Sequence, residues 1–553
     1  MSTMRSGLVV ALLATALAGV PASAQPQVDV FIEGAPLAGS SNGLAIDTDG
    51  NLAVANVWGG TITVVDTASG DILEVHGRES SLGMPDDVAL GLDGSLYFTQ
   101  EGPAGGVGRI SPDGQVSAIA ALPFSNAVAV TADGNLVVAQ CFGPENGLYV
   151  IDPQAASEPR LVLGGVPGCA FNAFDFGPDG LLYAPRPTAG TISAIDLDTG
   201  EEALVHDALA FPVAVEFDSL GRMHYADQAT GAVYRVDPET GSTETLAQLA
   251  VGLDNLVFDD QDQLYVSSAV DGSITEVRSD GSTRVVSPGG MTAPAGIAVM
   301  GDSILVAEPQ AIRAFDRLTG EPGGLISSVF GVSEVGNPVT IAASGDEVIT
   351  TSWLDNTVRV VDWPGGQAVV HGDFALPVNA LRFGEDLVVA ELGTTSIVRA
   401  HGEDPSQRET LATLVVPGGL AATEDDLYAS DWATGVVWQL VADGETLAEP
   451  KMVGQGLSFP EGLAAAPDGT LLVVETGMQD VVRLDPTTGE TQVVADGLAI
   501  DPPPPEGFPM APTFWFNGVA VADDGTVYAG GRAANVIYRF AEEPEQSKEG
   551  TQG

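Results

Sequence analysis

Polar residues that could ligate a cation recur at one fixed place in a pattern that is repeated twelve times along the chain. The pattern is a polar residue, x-[LV]-A-[VI], about three residues, Asp-Gly, and then x-L-x-[VY]-[AV], as in NGLAIDTDGNLAVAN (42–56). We call the first residue of each repeat its anchor. The twelve anchors are Asn42, Asp86, Asn126, Asn172, Val213, Asp254, Ala295, Asn337, Asn379, Gly418, Glu461 and Asn517. Nine of them are Asn, Asp or Glu, whose oxygen atoms suit Ca²⁺ or Mg²⁺.

The anchors support two interpretations. If they converge on one centre, they predict a divalent-cation site, with calcium as the first choice and zinc or manganese as alternatives. The metal-ligand candidates are Asn42, Asn126, Asn172, Asp254, Asn337, Asn379, Glu461 and Asn517. In the other interpretation, each Asn or Asp only caps a turn by accepting backbone N–H groups.

Acidic residues end the second apolar run of several repeats in the C-terminal half, at Glu308, Glu391, Asp431 and Glu475. Crowded carboxylates raise one another's pKa unless a cation neutralises them, so we predict a cation or a carboxylate general base here. The catalytic candidates are Glu461 and Asp431. Glu391 and Glu475 are candidates for substrate binding. The alternative is a solvated rim on an acidic protein.

One long insertion, AIDPPPPEGFPMAPTFWF (499–516), directly precedes Asn517. Its four consecutive prolines stiffen it, and residues such as Phe514 and Trp515 give it an apolar face. We predict a lid or pocket wall that binds substrate through Phe514 and Trp515. The alternative is packing between two domains.

The two cysteines, Cys141 and Cys169, lie close to corresponding points of successive repeats. Cys141 follows a second apolar run, and Cys169 lies three residues before the anchor Asn172. Both are therefore expected at the same end of neighbouring repeats, where a disulfide would tie the repeats together. The alternative is two separate buried thiols.

Each repeat predicts four strands. Two alternating apolar runs around Asp-Gly predict a hairpin, and a third and a fourth run follow, as in TITVVDTASG (61–70) and ILEVHG (72–77). Most anchors are 39 to 46 residues apart, and the last spacing is 56. Four-stranded units at this period are typical of β-propeller blades, and twelve exceed the usual number in one ring. We predict an all-β fold of two tandem six-bladed β-propellers, with the anchors at the channel mouths.

The ends of the chain and its middle predict how the two rings close. We expect the first propeller over 28–280, the second over 281–541, and a disordered tail over 542–553. Strand 28–34 would pair with 273–279 in ring one, and strand 283–289 with 535–540 in ring two. Both rings would then be clasped in the same way.

Composition and the N-terminus limit where the protein works and what it binds. Asp and Glu outnumber Lys and Arg by 75 to 20, which argues against nucleic-acid binding. Residues 1–24 read as a signal peptide, with Arg5, an apolar stretch over 7–20 and an Ala-Ser-Ala cleavage site. We predict a periplasmic or secreted monomer without membrane insertion. Its partner would be a small molecule or an extracytoplasmic protein.

The unit EGLAAAPDGTLLVVE (461–475) resembles the repeats of gluconolactonase/regucalcin-like propellers and NHL-type repeats. A stretch at 91–116 also resembles the repeats of streptogramin lyases. The first resemblance covers nearly all of the mature chain in two copies. It implies a divalent cation in the channel, held by an acidic residue of the first blade and by Asn or Asp anchors of later blades. Asn126 and Asn379 match the third-blade Asn, Asn172 matches the fourth-blade Asn, and Glu461 takes the place of the fifth-blade Asp. The first-blade Glu is replaced by Asn42 and Ala295, so neither ring keeps the full set.

Two main functions follow. One is a metal-dependent hydrolase, such as a lactonase, in which the cation polarises a carbonyl group and activates water. The other is a non-catalytic propeller that binds a ligand or a protein. A streptogramin-lyase-like activity is a third possibility.

Overall fold

The computed structural model describes residues 28–540 except 38, 78–81, 142–145, 155–157, 167–168, 170, 238–239, 329–334, 403, 405 and 502–515. The predicted signal peptide (1–24), the predicted tail (542–553), and Phe514 and Trp515 of the predicted lid lie outside these residues. Regular structure in the described part consists of strands and two short 3₁₀ helices, Pro187–Ala189 and Arg532–Ala534. No helix there has the length and apolar character needed to cross a membrane.

The first six blades form ring one, and each is a four-stranded antiparallel sheet whose strands follow one another in chain order. Their strands are β2 (Leu44–Ile46), β3 (Leu52–Asn56), β4 (Thr61–Val65), β5 (Ile72–His76); β6 (Pro85–Leu90), β7 (Leu96–Gln100), β8 (Gly106–Ile110), β9 (Val116–Ala121); β10 (Ser125–Val130), β11 (Leu136–Gln140), β12 (Gly147–Ile151), β13 (Arg160–Gly164); β14 (Asp175–Phe176), β15 (Leu182–Arg186), β16 (Thr191–Ile195), β17 (Glu202–His206); β18 (Pro212–Phe217), β19 (Met223–Asp227), β20 (Ala232–Val236), β21 (Thr243–Gln248); and β22 (Leu253–Phe258), β23 (Leu264–Ser268), β24 (Ile274–Val277), β25 (Thr283–Ser287).

The other six blades form ring two, and the last of them takes its outer strand from the N-terminus. Their strands are β26 (Ile297–Met300), β27 (Ser303–Glu308), β28 (Ala311–Asp316), β29 (Pro322–Ser327); β30 (Thr340–Ser344), β31 (Glu347–Ser352), β32 (Thr357–Asp362), β33 (Ala368–His371); β34 (Pro377–Phe383), β35 (Asp386–Glu391), β36 (Ser396–Ala400), β37 (Arg408–Thr413); β38 (Pro417–Ala422), β39 (Leu427–Asp431), β40 (Val436–Ala442), β41 (Glu445–Gln455); β42 (Pro460–Ala465), β43 (Leu471–Glu475), β44 (Asp480–Leu484), β45 (Thr491–Ala495); and β46 (Val519–Val521), β47 (Val527–Gly531), β48 (Val536–Phe540) with β1 (Asp29–Glu33).

The blades close into two rings around their innermost strands. The first strand of one blade contacts that of the next, and the circle closes where β2 meets β22 and where β26 meets β46. The prediction of two six-bladed propellers is therefore confirmed.

Local chemistry explains why each repeat folds as a blade. In the first repeat the Asp47 carboxylate accepts the N–H groups of Asp49 and Asn51, both at 2.8 Å, and Gly50 adopts a φ of 86°. This conformation suits glycine, so the Asp-Gly turn brings β2 and β3 together as a hairpin. Aliphatic side chains then pack between neighbouring blades, as Leu44 and Leu52 do against Tyr265 of the sixth blade.

The predicted clasps of both rings are wrong. Strand β1 pairs with β48 of ring two, with Asp29 opposite Arg539, and strand β25 pairs with β24 of ring one, with Val277 opposite Thr283. The physical reason is local. The turn at Gly281, with a φ of 82°, lets β24 and β25 form a hairpin as in the other blades. The strand at 283–289 thus stays in ring one, and β48 receives its outer partner from the N-terminus.

Ring one closes without sharing a strand between its two ends. The Ser40 hydroxyl donates to the Ala269 carbonyl at 2.8 Å, and the Ser267 hydroxyl donates to the Asn42 carbonyl at 2.6 Å. These buried bonds join the first blade to the sixth, and the apolar core between those blades adds to them.

Asn535 connects the two segments in which the chain passes between the rings. Its Nδ2 donates to the carbonyls of Ala35 and Met291, both at 3.0 Å, and its Oδ1 accepts the N–H of Ala293 at 3.0 Å. Ala35 N–H also donates to the Met291 carbonyl at 2.8 Å. The outgoing and returning segments therefore lie side by side against the last blade.

Removal of β1 should loosen ring two and leave ring one intact. A chain that begins at Ala35 exposes the edge of β48, so we expect amide exchange in β46–β48 to be about tenfold faster or more, as measured by mass spectrometry. A chain that begins at Val28 is the control. Unchanged protection of β48 in the shorter chain, or equal loss in ring one, would contradict the observed pairing.

Candidate functional site

The six anchors of ring one surround a single cavity of about 270 Å³ at the channel mouth. The cavity is lined by Asn42, Val57, Trp58, Asp86, Glu101, Asn126, Cys169, Asn172, Pro187, Thr188, Phe211, Val213, Gln228, Asp254 and Gln310. Each anchor precedes or begins the innermost strand of its blade, and for this reason the repeat brings all six to the same mouth. The residues combine acidic and amide groups with an apolar wall.

Two pairs of polar side chains are joined across neighbouring blades. Asn42 donates from Nδ2 to Asp86 Oδ1 at 3.3 Å, and Asn126 donates to the carboxylate of Glu101. Sequence reasoning missed Glu101, which directly follows β7 and does not belong to the anchor positions. It lies one residue beyond the end of β7, and the end of the second strand is where other repeats carry Glu or Asp, which was the signal that could have identified it.

Burial raises the pKa of the carboxyl groups at this mouth. Burial, and then the charges of Glu101 and Asp254, raise the pKa of Asp86 well above its usual range. Burial raises the pKa of Asp254 to about 7, with further contributions from Asp87 and Glu101. The pKa of Glu101 is also raised by burial. Among the described residues that line the cavity there is no Lys, Arg or His.

Ring two supplies part of the wall. Gln310, from the turn between β27 and β28, lines the ring-one cavity and is 6% exposed. Trp58 of ring one packs in a cluster with Ala295 and Phe516 of ring two, and its carbonyl accepts Arg532 Nη1 at 2.7 Å. The cavity therefore lies where the two rings meet.

The other end of the ring-one channel holds a second group of carboxyls, around a cavity of about 300 Å³. Asp87 accepts the N–H of Val128 and Nδ2 of Asn255, each at 2.9 Å, and burial raises its pKa to about 7. Asp175 and Glu216 are hydrogen-bonded to each other. Burial raises the pKa of both groups, and the neighbouring Asp175 raises that of Glu216 further.

The acidic residues at the ends of second strands in ring two accept backbone N–H groups from the loop before the innermost strand of the same blade. Asp431 accepts those of Val415 and Val416 at 3.0 and 3.1 Å. Glu391 accepts the N–H of Ala375 at 3.1 Å, and Glu475 accepts one from its own blade as well. The same bonding appears in ring one. Through these contacts the carboxylates stabilise the loops before the innermost strands.

Glu461 is fully buried and accepts hydrogen bonds from the backbone N–H and the side chain of Asn517. Asn337 donates from Nδ2 to the Pro309 carbonyl at 2.9 Å, and Asn379 lines the channel of ring two. The structure therefore brings together Glu461 and Asn517 among the predicted ring-two residues. The catalytic roles of Glu461 and Asp431 stay predictions.

A divalent cation in the channel would need several ligand side chains close together. Across the described part of the chain, no three or more side chains of His, Cys, Asp or Glu are grouped so that they could hold a metal ion. Most of the predicted ligands are Asn side chains, which lie outside such groups, and the divalent cation stays a prediction.

Cys141 and Cys169 form a disulfide that joins the mouth loops of the third and fourth blades. Cys169 also lines the ring-one cavity. The bridge therefore holds part of the cavity wall.

The raised pKa of Asp254 makes stability depend on pH. An unfolded Asp titrates near pH 4, so the folded chain keeps a proton that the unfolded chain loses, and this stabilisation is lost as the pH rises through about 7. We expect the melting temperature of Asp254→Asn to fall less than that of the unchanged protein between about pH 5 and pH 8, by about 2 °C. Asp260→Asn, at an exposed position of the same blade, is the control. Parallel melting curves for all three proteins would contradict the raised pKa.

No protein-family model matches the sequence, and no curated protein matches it. Among solved structures, the chain is similar to the extracellular domain of a putative hybrid two-component system from B. thetaiotaomicron, with 12% identity, a TM-score of 0.31, and coverage of 94% of this chain and 83% of that one. The extracellular domain of another putative hybrid system from that organism gives 9% identity, a TM-score of 0.33, and coverage of 92% and 82%. Similarities of this size add nothing to what the sheets show directly: the chain is a tandem pair of six-bladed β-propellers.

Proposed function

We propose that the protein is an exported, non-catalytic propeller that binds a small molecule at the mouth of ring one. The observation that carries the proposal is the ring-one cavity itself. It is lined by buried and half-buried carboxyl and amide groups together with aromatic and aliphatic side chains. A concave, partly apolar site with a few converging polar groups is the usual form of a small-molecule site.

The distribution of hydrogen bonds favours ring one over ring two as the binding site. In ring two, Asp431 and Glu391 accept backbone N–H groups of neighbouring loops, and Glu461 accepts Asn517. In ring one, by contrast, the carbonyl oxygen of the buried Asn126 has no hydrogen-bond partner among the described residues. Buried polar atoms are nearly always paired, so this oxygen is suited to a donor on a ligand.

The disulfide supports export. A bond between Cys141 and Cys169 persists in oxidising compartments such as the periplasm or the extracellular medium. It agrees with the signal peptide predicted from the sequence.

The metal-dependent lactonase is the competing function. It needs a cation with a set of ligands, and the described His, Cys, Asp and Glu side chains hold no group of three suited to one, so the Asn anchors would have to supply most of the ligands. Its test is turnover of a lactone panel, with Glu461→Gln as the decisive variant.

The proposal is tested by a thermal-shift screen of small amines, polyols, amino acids and lactones against the chain that begins at Val28. For each compound that stabilises the protein, we expect Asn126→Ala to weaken binding about tenfold, because it removes a buried amide from the cavity. Asn135→Ala, in the Asp-Gly turn of the same blade, should bind as the unchanged protein does.

Two results would overturn the proposal. One is a set of ligands whose binding is the same in Asn126→Ala. The other is lactone turnover that is lost in Glu461→Gln, which would establish the hydrolase instead.

A further inference from the structure

Two buried carbonyl oxygens at the ring-one cavity lack a hydrogen-bond partner among the described residues. They are Oδ1 of Asn126 and Oε1 of Gln310. The two residues are 7% and 6% exposed, respectively. The residues come from different rings and line the same cavity. Since protein interiors rarely leave such atoms unpaired, both oxygens point to a ligand that brings N–H or O–H donors.

The same cavity holds three carboxyl groups without a cationic side chain beside them. Asp86, Glu101 and Asp254 line it, and no Lys, Arg or His is found among its described lining residues. Carboxylates held out of water are stabilised by an opposite charge nearby. A ligand with positive charge would therefore supply what the side chains of the cavity lack.

Apolar side chains also line the cavity and suit the hydrocarbon part of a ligand. Trp58 is 8% exposed and Phe211 is 6% exposed, and Val213 is almost completely buried between the blades. An aromatic wall beside carboxylates fits an organic cation, through contact of its carbon part and attraction of its charge to the rings. The volume of about 270 Å³ equals that of roughly nine liquid water molecules, which sets the size of the ligand.

We propose that the ligand of ring one is a small organic ammonium ion. Its ammonium group lies among Glu101, Asp254 and the Asn126 carbonyl, and its carbon part lies against Trp58. Gln310 of ring two accepts a further donor of the ligand. This inference rests on the proposed function and names its ligand class.

Gln310 is held in place for this role by the turn that carries it. The Glu308 carboxylate accepts Nε of Arg313 at 2.6 Å and the N–H of Thr292 at 2.8 Å. The Gln310 carbonyl accepts the N–H of Ser328 at 2.7 Å. These contacts fix the backbone from which the Gln310 side chain reaches the ring-one cavity, so ring two is a specificity-determining part of the proposed site.

The test compares two probes of equal size by isothermal titration calorimetry, at about pH 8 where the carboxyl groups are more fully ionised. The probes are 2-phenylethylammonium chloride and the neutral 2-phenylethanol, and calcium chloride is titrated separately. We expect the ammonium ion to bind at least about tenfold more tightly than the alcohol, because charge-assisted hydrogen bonds are the stronger ones. Calcium should bind weakly or not at all.

Variants assign the binding to the residues named. Glu101→Gln keeps the shape of the side chain and should weaken the ammonium ion about tenfold, and Gln310→Ala should weaken it severalfold, about threefold or more. Glu201→Gln in ring one and Gln492→Ala in ring two are exposed and should change nothing. Melting curves confirm that each variant is folded.

The outcomes separate this inference from the proposed function. If the alcohol binds as tightly as the ammonium ion and Asn126→Ala weakens both, the binding function stands and the ammonium ligand is wrong. Tight binding of calcium alone also overturns the ammonium ligand. If neither probe binds, the inference falls, and if the wider screen finds no ligand either, the proposed function falls with it.

Discussion

The pairing of β1 with β48 is the constraint on which the arrangement of the whole molecule depends. The strand next to the N-terminus completes the last blade of ring two, so all of ring one is inserted between β1 and β26. The chain must leave ring two and return to it at neighbouring points. Asn535 binds both crossing segments through the carbonyls of Ala35 and Met291, which fixes one ring against the other.

This fixed arrangement builds the ring-one cavity. A channel mouth formed by inner strands alone would face solvent, whereas here the turn that carries Gln310 lies over it and Trp58 is packed against Ala295 and Phe516 of ring two. The second propeller is thus part of the wall of the first. The two rings therefore have surfaces that meet, and a site between them can take residues from both.

The acidic residues of the chain have two physical tasks. Where a carboxylate ends a second strand, as Asp431 does, it accepts backbone N–H groups and fixes the loop before the innermost strand. Where carboxyl groups meet in the ring-one channel, as at Asp86 and Asp254, burial raises their pKa and no basic side chain among the described lining residues offsets the cost. The first use stabilises the fold, and the second leaves carboxyl groups whose ionised form a cationic ligand would stabilise.

The sequence by itself determined the blades. Contacts within about forty residues determine the repeat length, the Asp-Gly turns and the position of anchors such as Asn126. Each repeat therefore encodes its own blade. The sequence did not determine how the rings close. The strands at 28–34 and 283–289 have equally suitable outer-strand patterns, and only the closed ring decides which strand each one pairs with. Glu101 and Gln310 escaped sequence reasoning because neither occupies an anchor position. Only the tertiary structure, by setting one ring against the other, brings them to the same cavity.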